Sequence, residues 1–474
     1  MTLPPGYTLE TIDIPDVEFE VGGLAARPNG DLLVTLRQGF VWERDADSGE
    51  WTKKSGTLHQ TLGAWTEEGS DDVWVVQKHQ LTRLVDDTAG PMFDFYENLC
   101  DEWGYTGDNH GFAYGPVRDS DGNSYLNKSP GNQGSYSLAR DFIYDAPWAG
   151  WHIRVTPEGE CEPIASGLRS PLGIGINDDD EVFYSDQQGT WVPVCHISHV
   201  VEGGFYGHPT ALGGHPDFPD VDPDSYEFVE PVEKADFAPM RKPPVVWIPY
   251  NFQQSTAGVT FDAGGFGPFE GQAFFGCQNQ ANLGRMCMEE VNGSYQGAVF
   301  PFSAPGEFDW GIVREEFSAD GSSLYVGETT RGWGPEDGWS LQRVDYDGET
   351  VPFAMRSIEI TESGFRVTFT KPVDADEAGD PANYDLSHWS YNYHKAYGSG
   401  RVDERSIDSS NVTATVADGG ETVDLDLSAL ETGPDGVDTI KSRVYEISLN
   451  GITSESGAGM AHPIGWYTVH EIPE

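Results

Sequence analysis

A short apolar strand, a turn of Asp, Asn and Gly, and a second alternating strand recur along the first three quarters of this 474-residue chain. The unit reads GGLAARPNGDLLVTL from Gly22, AWTEEGSDDVWVV from Ala64 and GFAYGPVRDSDGNSYLN from Gly111. It returns as PLGIGINDDDEVFYSD from Pro171, GVTFDAGGFGPFEGQAFFG from Gly258 and REEFSADGSSLYVGE from Arg314. The Asn-Gly, Asp-Gly and Glu-Gly pairs supply the positive φ that tight hairpin turns require, and no long helical period separates the strands. Six units over about 350 residues leave roughly 55 to 60 for each, the size of a four-stranded blade with its loops. The pattern predicts an all-β fold with a six-bladed β-propeller over residues 1–353, because radial repetition protects strand edges better than two stacked sheets. An insertion, His208 to Pro249, lies in the long gap between Asp180 and Glu270. It reads as a loop over the top face, or as the place of a seventh blade.

After Val351-Pro352-Phe353 the blade unit stops. SIEITESGFRVTFTKPVD, NYDLSHWSYNYH, NVTATVADGGETVDLDLSAL and RVYEISLNGITSESG are strands joined by Asp and Gly turns. About 120 residues with this rhythm predict an immunoglobulin-like β-sandwich over residues 354–474.

Charge narrows the partners. There are 78 Asp and Glu against 27 Lys and Arg, a formal net charge of −51. With 38% hydrophobic and 12% aromatic residues the chain can bury a core and carry that charge outside. Like charge at this density repels itself in dilute buffer, and screening to about 3 Å at molar salt suits a halophilic, acidic protein. A phosphate backbone would meet a negative surface, so nucleic acid is excluded as a partner. No stretch approaches the ~20 apolar residues of a membrane span. The start, Met1-Thr2-Leu3-Pro4-Pro5, has no export signal. An extracellular or cell-surface location is expected, the signal being absent from this chain, with the cytoplasm of a salt-accumulating halophile as the alternative. Cys100, Cys161, Cys195, Cys277 and Cys287 are scattered and odd in number. That describes no disulfide framework, and mostly free, buried thiols with room for one bridge are expected.

Three segments carry candidate chemistry. His110 follows Asp108-Asn109 just before a blade's first strand, on a loop that in a propeller rings the channel mouth. It is a candidate general base, its ring fixed by the Asp108 carboxylate; the plainer reading is a His that holds a turn. Arg169, in Gly167-Leu168-Arg169-Ser170-Pro171, precedes another first strand and can clamp a carboxylate or oxyanion, or alternatively tie two blades together through carbonyls. Third, Asp186 and Gln188 are candidates for a hard cation such as calcium. His196 and His199 are three apart on a strand and point to opposite faces, which argues against a shared ion. Gln278, Asn279, Arg285, Arg331 and Trp333 follow strands ending in small residues, where Arg331 and Trp333 could stack on a flat ligand or sugar ring, or pack between blades.

At these segments the sequence resembles the soluble quinoprotein glucose/sorbosone dehydrogenase superfamily, in particular the dehydrogenase-like propellers of planctomycetes and related bacteria. The resemblance covers most of residues 15 to 350. It implies a propeller holding pyrroloquinoline quinone, often with calcium, over the channel, and a His base that takes the sugar hydroxyl's proton while hydride passes to the quinone. DNHGFAYGPVRDSDGNSYL then places the base on His110, and Arg169-Ser170-Pro171-Leu172-Gly173 looks like the family's Arg-Asn-Pro-Gln-Gly turn. Tyr206-Gly207-His208-Pro209 looks like its Tyr-Gly-Trp-Pro element, implying cofactor contacts for Tyr206 and His208. NYDLSHWSYNYH and KAYGSGRVDE resemble the trailing sandwich. The chain departs from the family in three places. No Lys stands near Gln278, the paired Arg residues are replaced around Asp309-Trp310-Gly311, and Ser170 stands beside the clamp Arg.

The expectation is a carbohydrate- or polyol-directed oxidoreductase with a small sugar or polysaccharide substrate and an electron-acceptor protein as partner. One alternative is a polysaccharide lyase or glycoside hydrolase on uronate-containing glycans, using His110, Arg169 and Tyr206. The other is a non-catalytic glycan-binding propeller.

Overall fold

The computed structural model describes residues 3–88, 90–105, 110–131, 146–213, 215–218, 232–330, 338–434, 436–439 and 441–473. Among these residues antiparallel sheets follow one another along the chain, each with four strands from the repeat region, the fifth continuing into strands of the C-terminal part. Sheet 1 is Val21–Ala26, Leu32–Leu36, Val41–Arg44 and Trp51–Ser55. Sheet 2 is Ala64–Thr66, Val73–Val76, Leu81–Val85 and Phe95–Cys100. Sheet 3 comprises Ala113–Arg118, Ser124–Lys128, Trp151–Val155 and Cys161–Ser166. Gly173–Ile176, Val182–Asp186, His196–His199 and Val246–Trp247 form sheet 4. Thr260–Phe261, Ala273–Gly276, Leu283–Val291 and Ser294–Pro301 form sheet 5. Sheet 6 takes Ile312–Phe317, Ser323–Thr329 and Trp339–Tyr346 from the end of the repeats, and its outer strand, Tyr7–Thr11, from the start of the chain.

The first strands adjoin in a closed cycle, each sheet touching the next and sheet 6 returning to sheet 1. The sheets therefore stand as radial blades around an axis, and pairing of Tyr7 with Tyr346 through Thr11 with Gln342 locks the ring by joining both ends of the repeat region. Near the axis the backbones crowd, which explains the glycines of the first strands. A Cβ on Gly173 would lie 1.8 Å from the Gly258 carbonyl oxygen of the next sheet. Second strands are sandwiched between neighbouring blades, so Leu32–Leu36 and Val73–Val76 are apolar runs buried on both faces. The core is accordingly divided into layers between blades. Leu24, Val34 and Leu36 meet Tyr325 and Leu341 across the closure, and Val76 and Leu81 meet Ala113, Leu126 and Ile153 between sheets 2 and 3.

Past residue 354, Met355–Ile360, Gly364–Phe369, Thr422–Leu427 and Val412–Val416 make one sheet. Tyr384–Ser390, Val402–Ile407, Arg443–Leu449 and Ile464–Val469 make another. The two share a core in which Phe365 meets the rings of Tyr445 and Tyr467 at 5.1 and 5.3 Å. The second sheet is continuous with sheet 5, because Gly297, Ala298 and Val299 pair with Thr468, Tyr467 and Trp466. The C-terminal strands thus extend a blade rather than hanging from a linker.

The insertion differs from the loop that the sequence suggests. Its described part supplies Val246–Trp247 as the outer strand of sheet 4. It also buries Leu212 and Phe237, together with the preceding Phe205, against Trp389, Tyr391 and Tyr393 of the C-terminal part. Those aromatics need cover, which makes the segment a wedge between two halves of the molecule.

Cys100 and Cys161 are bridged, with Cα atoms 6.2 Å apart, while Cys195, Cys277 and Cys287 are free. The bridge joins the outer strand of sheet 2 to that of sheet 3, where no ladder hydrogen bonds connect the blades. It closes a separation of 61 residues. Reduction, or Cys100→Ser, is expected to cost about 2 to 4 kcal/mol, read as a lower Tm by calorimetry with and without dithiothreitol.

Candidate functional site

The residues that precede the first strands converge at one end of the axis. They enclose a cavity of about 420 Å³ whose wall includes Leu62, His110, Phe112, Arg169, Ser170 and Leu172. Arg37, between the second and third strands of sheet 1, completes the wall with Gln187, Gln278, Arg314 and Thr329. They come from the turns of several blades because every blade's first strand starts at the same end.

Arg314 forms the floor. Its Nη1 donates to the Leu172 carbonyl at 3.0 Å and its Nη2 to the Leu62 carbonyl at 2.9 Å, tying sheet 6 to the turns that open sheets 4 and 2. Its guanidinium also lies 5.4 Å from the ring centre of Tyr114 in sheet 3. Carbonyl partners do not cancel the positive charge. Arg37 stands 4.9 Å from the Phe112 ring, and the buried Lys78 ammonium 5.7 Å from the same ring. Lys128, buried beneath, donates to the Lys78 and Gly111 carbonyls at 3.1 and 2.9 Å and anchors the loop that leads from His110 into sheet 3.

Arg169 is positioned by Asp186. The buried carboxylate accepts the backbone N–H of Arg169 at 2.8 Å and that of Ser170 at 2.6 Å, one on each oxygen. Arg169 Nη1 then donates to the Gln188 carbonyl at 3.1 Å. Burial pushes the Asp186 carboxyl up to about 6, against the lowering by those N–H groups. Both Asp186 oxygens are committed to the turn, and the Gln188 amide donates to the Pro193 carbonyl at 3.0 Å. At the two residues where a cation was expected, Asp186 buttresses the turn that carries Arg169, and Gln188 gives its carbonyl to the Arg169 guanidinium. Among the described residues no group of three or more His, Cys, Asp or Glu side chains is gathered as a metal would need.

Other expected residues are dispersed. Tyr206 is buried with its hydroxyl bonded to the His199 carbonyl and accepting the Val201 N–H at 2.8 Å, so it holds a turn. His208 is buried, 3.3 Å from Thr190 Oγ1. Arg285 is buried in the seam with the C-terminal part, between the Phe269 and Phe300 rings at 4.2 Å each, with Nη1 on Gln272 at 2.7 Å. These three do not line the cavity, since their side chains face neighbours that local sequence does not reveal. His110, Arg169 and Gln278 do line it. Asp108, Arg331 and Trp333 lie outside the described residues. His196 and His199 point apart: His196 bonds Ser198 at 3.0 Å and burial lowers its ring to about 3, while His199 pairs with Glu181.

Sequence reasoning missed Arg37 and Arg314. The signal was present, because basic residues are scarce, Arg37 directly follows a strand of the repeated unit and Arg314 lies within one.

Below Arg314 the axis continues into a space of about 200 Å³ lined by Glu315 and Glu316. Burial raises Glu315 to about 8 and Glu316 to about 7. Next to the rim, burial raises Glu328 to about 9. At neutral pH Glu315 and Glu328 are therefore largely protonated and Glu316 about half so.

Solved structures share this architecture. An oxidoreductase of the glucose dehydrogenase type from Thermus thermophilus is 19% identical, over 72% of this chain and 100% of its own, with a TM-score of 0.52. The soluble aldose sugar dehydrogenase of Escherichia coli, in its apo form, is 18% identical over 72% of this chain and 99% of its own, with a TM-score of 0.50. The PQQ-bound aldose sugar dehydrogenase of Streptomyces coelicolor is 18% identical over 72% of this chain and 99% of its own, with a TM-score of 0.49. The chain has the propeller fold of the soluble sugar dehydrogenases. No protein-family model and no curated protein matches its sequence.

Two outcomes follow from these environments. Asp186→Asn replaces an acceptor with an amide and is expected to weaken sulfate binding in the cavity about tenfold by calorimetry, and in the parent protein the affinity falls as pH drops through about 6. Glu315 ionises near 4.5 when unfolded but near 8 when folded, so stability is fullest below 4.5 and is lost as pH rises toward 8. The stability advantage of Glu315→Gln over the parent should therefore grow between pH 5 and pH 8, by up to about 1.4 kcal/mol per pH unit, read as a widening Tm difference.

Proposed function

We propose that this chain is a carbohydrate- or polyol-directed oxidoreductase acting in the cavity where the first strands begin. The scaffold in this reading is a six-bladed propeller, residues 1–353, with an immunoglobulin-like module over 354–474. One observation carries the reading. The cavity wall holds Arg37, Arg169 and Arg314 and, among the described residues, no carboxylate, in a chain with 78 acidic residues and only 27 Lys and Arg. Such a concentration of rare charge favours an anionic organic molecule.

The donor chemistry fits pyrroloquinoline quinone, a tricarboxylate. The three guanidiniums suit its carboxylates, and the Gln187 and Gln278 amides suit its carbonyl oxygens. When bound, it would supply a hydride acceptor for the substrate carbon. His110, on the cavity wall, takes the proton of the reacting hydroxyl, and Arg169, held by Asp186, steadies the developing alkoxide. The cavity's recessed position limits competing water and strengthens these charges. Regeneration calls for an electron acceptor, a dye in vitro or a partner protein. The Cys100–Cys161 bridge supports an oxidising, exported location, and no helix of the described residues is long and apolar enough to cross a membrane.

The same arginine-lined cavity supports a second reading, a lyase on uronate glycans, in which an arginine neutralises the sugar carboxylate. Tyr206 is not available to it, because its hydroxyl is spent on backbone groups.

The test is dye reduction by protein reconstituted with pyrroloquinoline quinone, in high salt, over a panel of aldoses and polyols. Turnover is expected, with kcat reduced about 10²- to 10⁴-fold in His110→Ala and the cofactor's Kd raised about tenfold or more in Arg37→Gln. No dye reduction across the panel, together with ultraviolet-absorbing products from a uronate polysaccharide, would replace the first reading by the second.

A further inference from the structure

The loop 391–400 joins two strands of the C-terminal part, yet it is bonded along its length to the propeller. The Trp191 backbone N–H donates to the His394 carbonyl at 3.1 Å. Gly398 donates to the Gly189 carbonyl at 3.0 Å, Ser399 donates to the Pro193 carbonyl at 2.8 Å, and Thr190 and Tyr397 form a bridge pair. Gly398 has φ +65°, and a Cβ there would come 2.7 Å from the Gln188 amide, so the loop seats closely. This contact places Tyr397 against the cavity wall, because the Arg169 guanidinium lies 5.4 Å from the Tyr397 ring centre.

The ring is nonetheless 60% exposed, among the most exposed large aromatics of the described residues. A flat apolar face held by backbone bonds, beside a polar cavity and left open to water, is a preformed contact surface with few rotamers to lose on binding. A second exposed aromatic lies on the other flank of sheet 3. Tyr105, 47% exposed, is 5.5 Å from the Lys78 ammonium, which in turn faces the cavity residue Phe112. Tyr105 packs with His59 and His79 from the loops of sheet 2, whereas Tyr397 is bonded to a loop of sheet 4. The cavity is thus flanked by aromatic faces on two sides.

We propose that the C-terminal loop completes the mouth of the cavity as a saccharide subsite. Tyr397 is the platform for a pyranose ring one or more units away from the sugar bound beside His110. The inference rests on the carbohydrate reading and gives it a substrate class: a neutral oligosaccharide or polysaccharide end rather than a free monosaccharide. It also gives the C-terminal part a role that a passive appendage would not have.

The experiment uses the full chain with glucose, maltotetraose and cellotetraose, each measured twice, by calorimetric binding and by dye reduction after reconstitution. At least one tetraose is expected to bind about tenfold or more tightly than glucose. Tyr397→Ala and Tyr397→Leu should bring the two sugars level, Tyr397→Phe and Tyr397→Trp should keep the difference, and Tm should hold in all four because the ring is largely exposed. Equal binding of all three sugars by the parent, or a chain-length advantage that survives in Tyr397→Ala or Tyr397→Leu, overturns the subsite. The two readings separate cleanly. Glucose oxidation with no chain-length effect removes the subsite and leaves the oxidoreductase; Tyr397-dependent tetraose binding without dye reduction by any sugar does the reverse.

Discussion

Arg314 reaches across the axis to carbonyls that belong to two other blades, and the shape of the cavity depends on that reach. Blades in a ring hydrogen-bond within themselves and meet their neighbours through side chains, so nothing in the strand ladders specifies how their first turns sit relative to one another. A guanidinium, with donors in a rigid fan, can bind carbonyls from several turns at once. Here it sets the turns before sheets 2 and 4 against sheet 6, with Tyr114 of sheet 3 beneath it. Its hydrogen-bond partners there are neutral. The structural tie is therefore also the positive floor of the cavity.

The charge distribution follows a consistent division. Carboxylates dominate the surface, where water and salt screen them. Among the described residues, Asp186 near the axis accepts backbone N–H groups, and Glu315 and Glu328 are held largely neutral by burial. A potential of opposite sign can then persist inside a strongly acidic protein. Lys128 contributes differently, through its carbonyl contacts, by fixing the chain that carries His110 into sheet 3.

The C-terminal strands enlarge this arrangement by extending sheet 5. Ladder bonds from Gly297 to Val299 and the aromatic wedge of Phe205, Phe237, Trp389 and Tyr393 hold them against one flank. Direct continuity of backbone hydrogen bonds is stiffer than a linker, and stiffness is what lets loop 391–400 hold a side chain at the cavity rim.

The amino-acid sequence by itself determined the blades, because a strand, an Asp-Gly turn and a second strand are local features with local causes. It also revealed His110, Arg169 and Gln278 as cavity candidates, since a residue just before or after a blade strand must lie at an end of that blade. Tertiary structure decided the rest. Arg37 and Arg314 are 277 positions apart in number and meet only because the ring closes through Tyr7–Thr11. Tyr206, His208 and Arg285 stand where motif or spacing suggested a ligand, but the direction of each side chain is set by neighbours from other elements: Val201 and His199, Thr190, and Gln272 with Met355. Asp186 stands beside Arg169, where two backbone N–H groups from the Arg169 turn reach its oxygens. The repeat says where each turn falls in its blade. Only packing around a shared axis says which turns face one another.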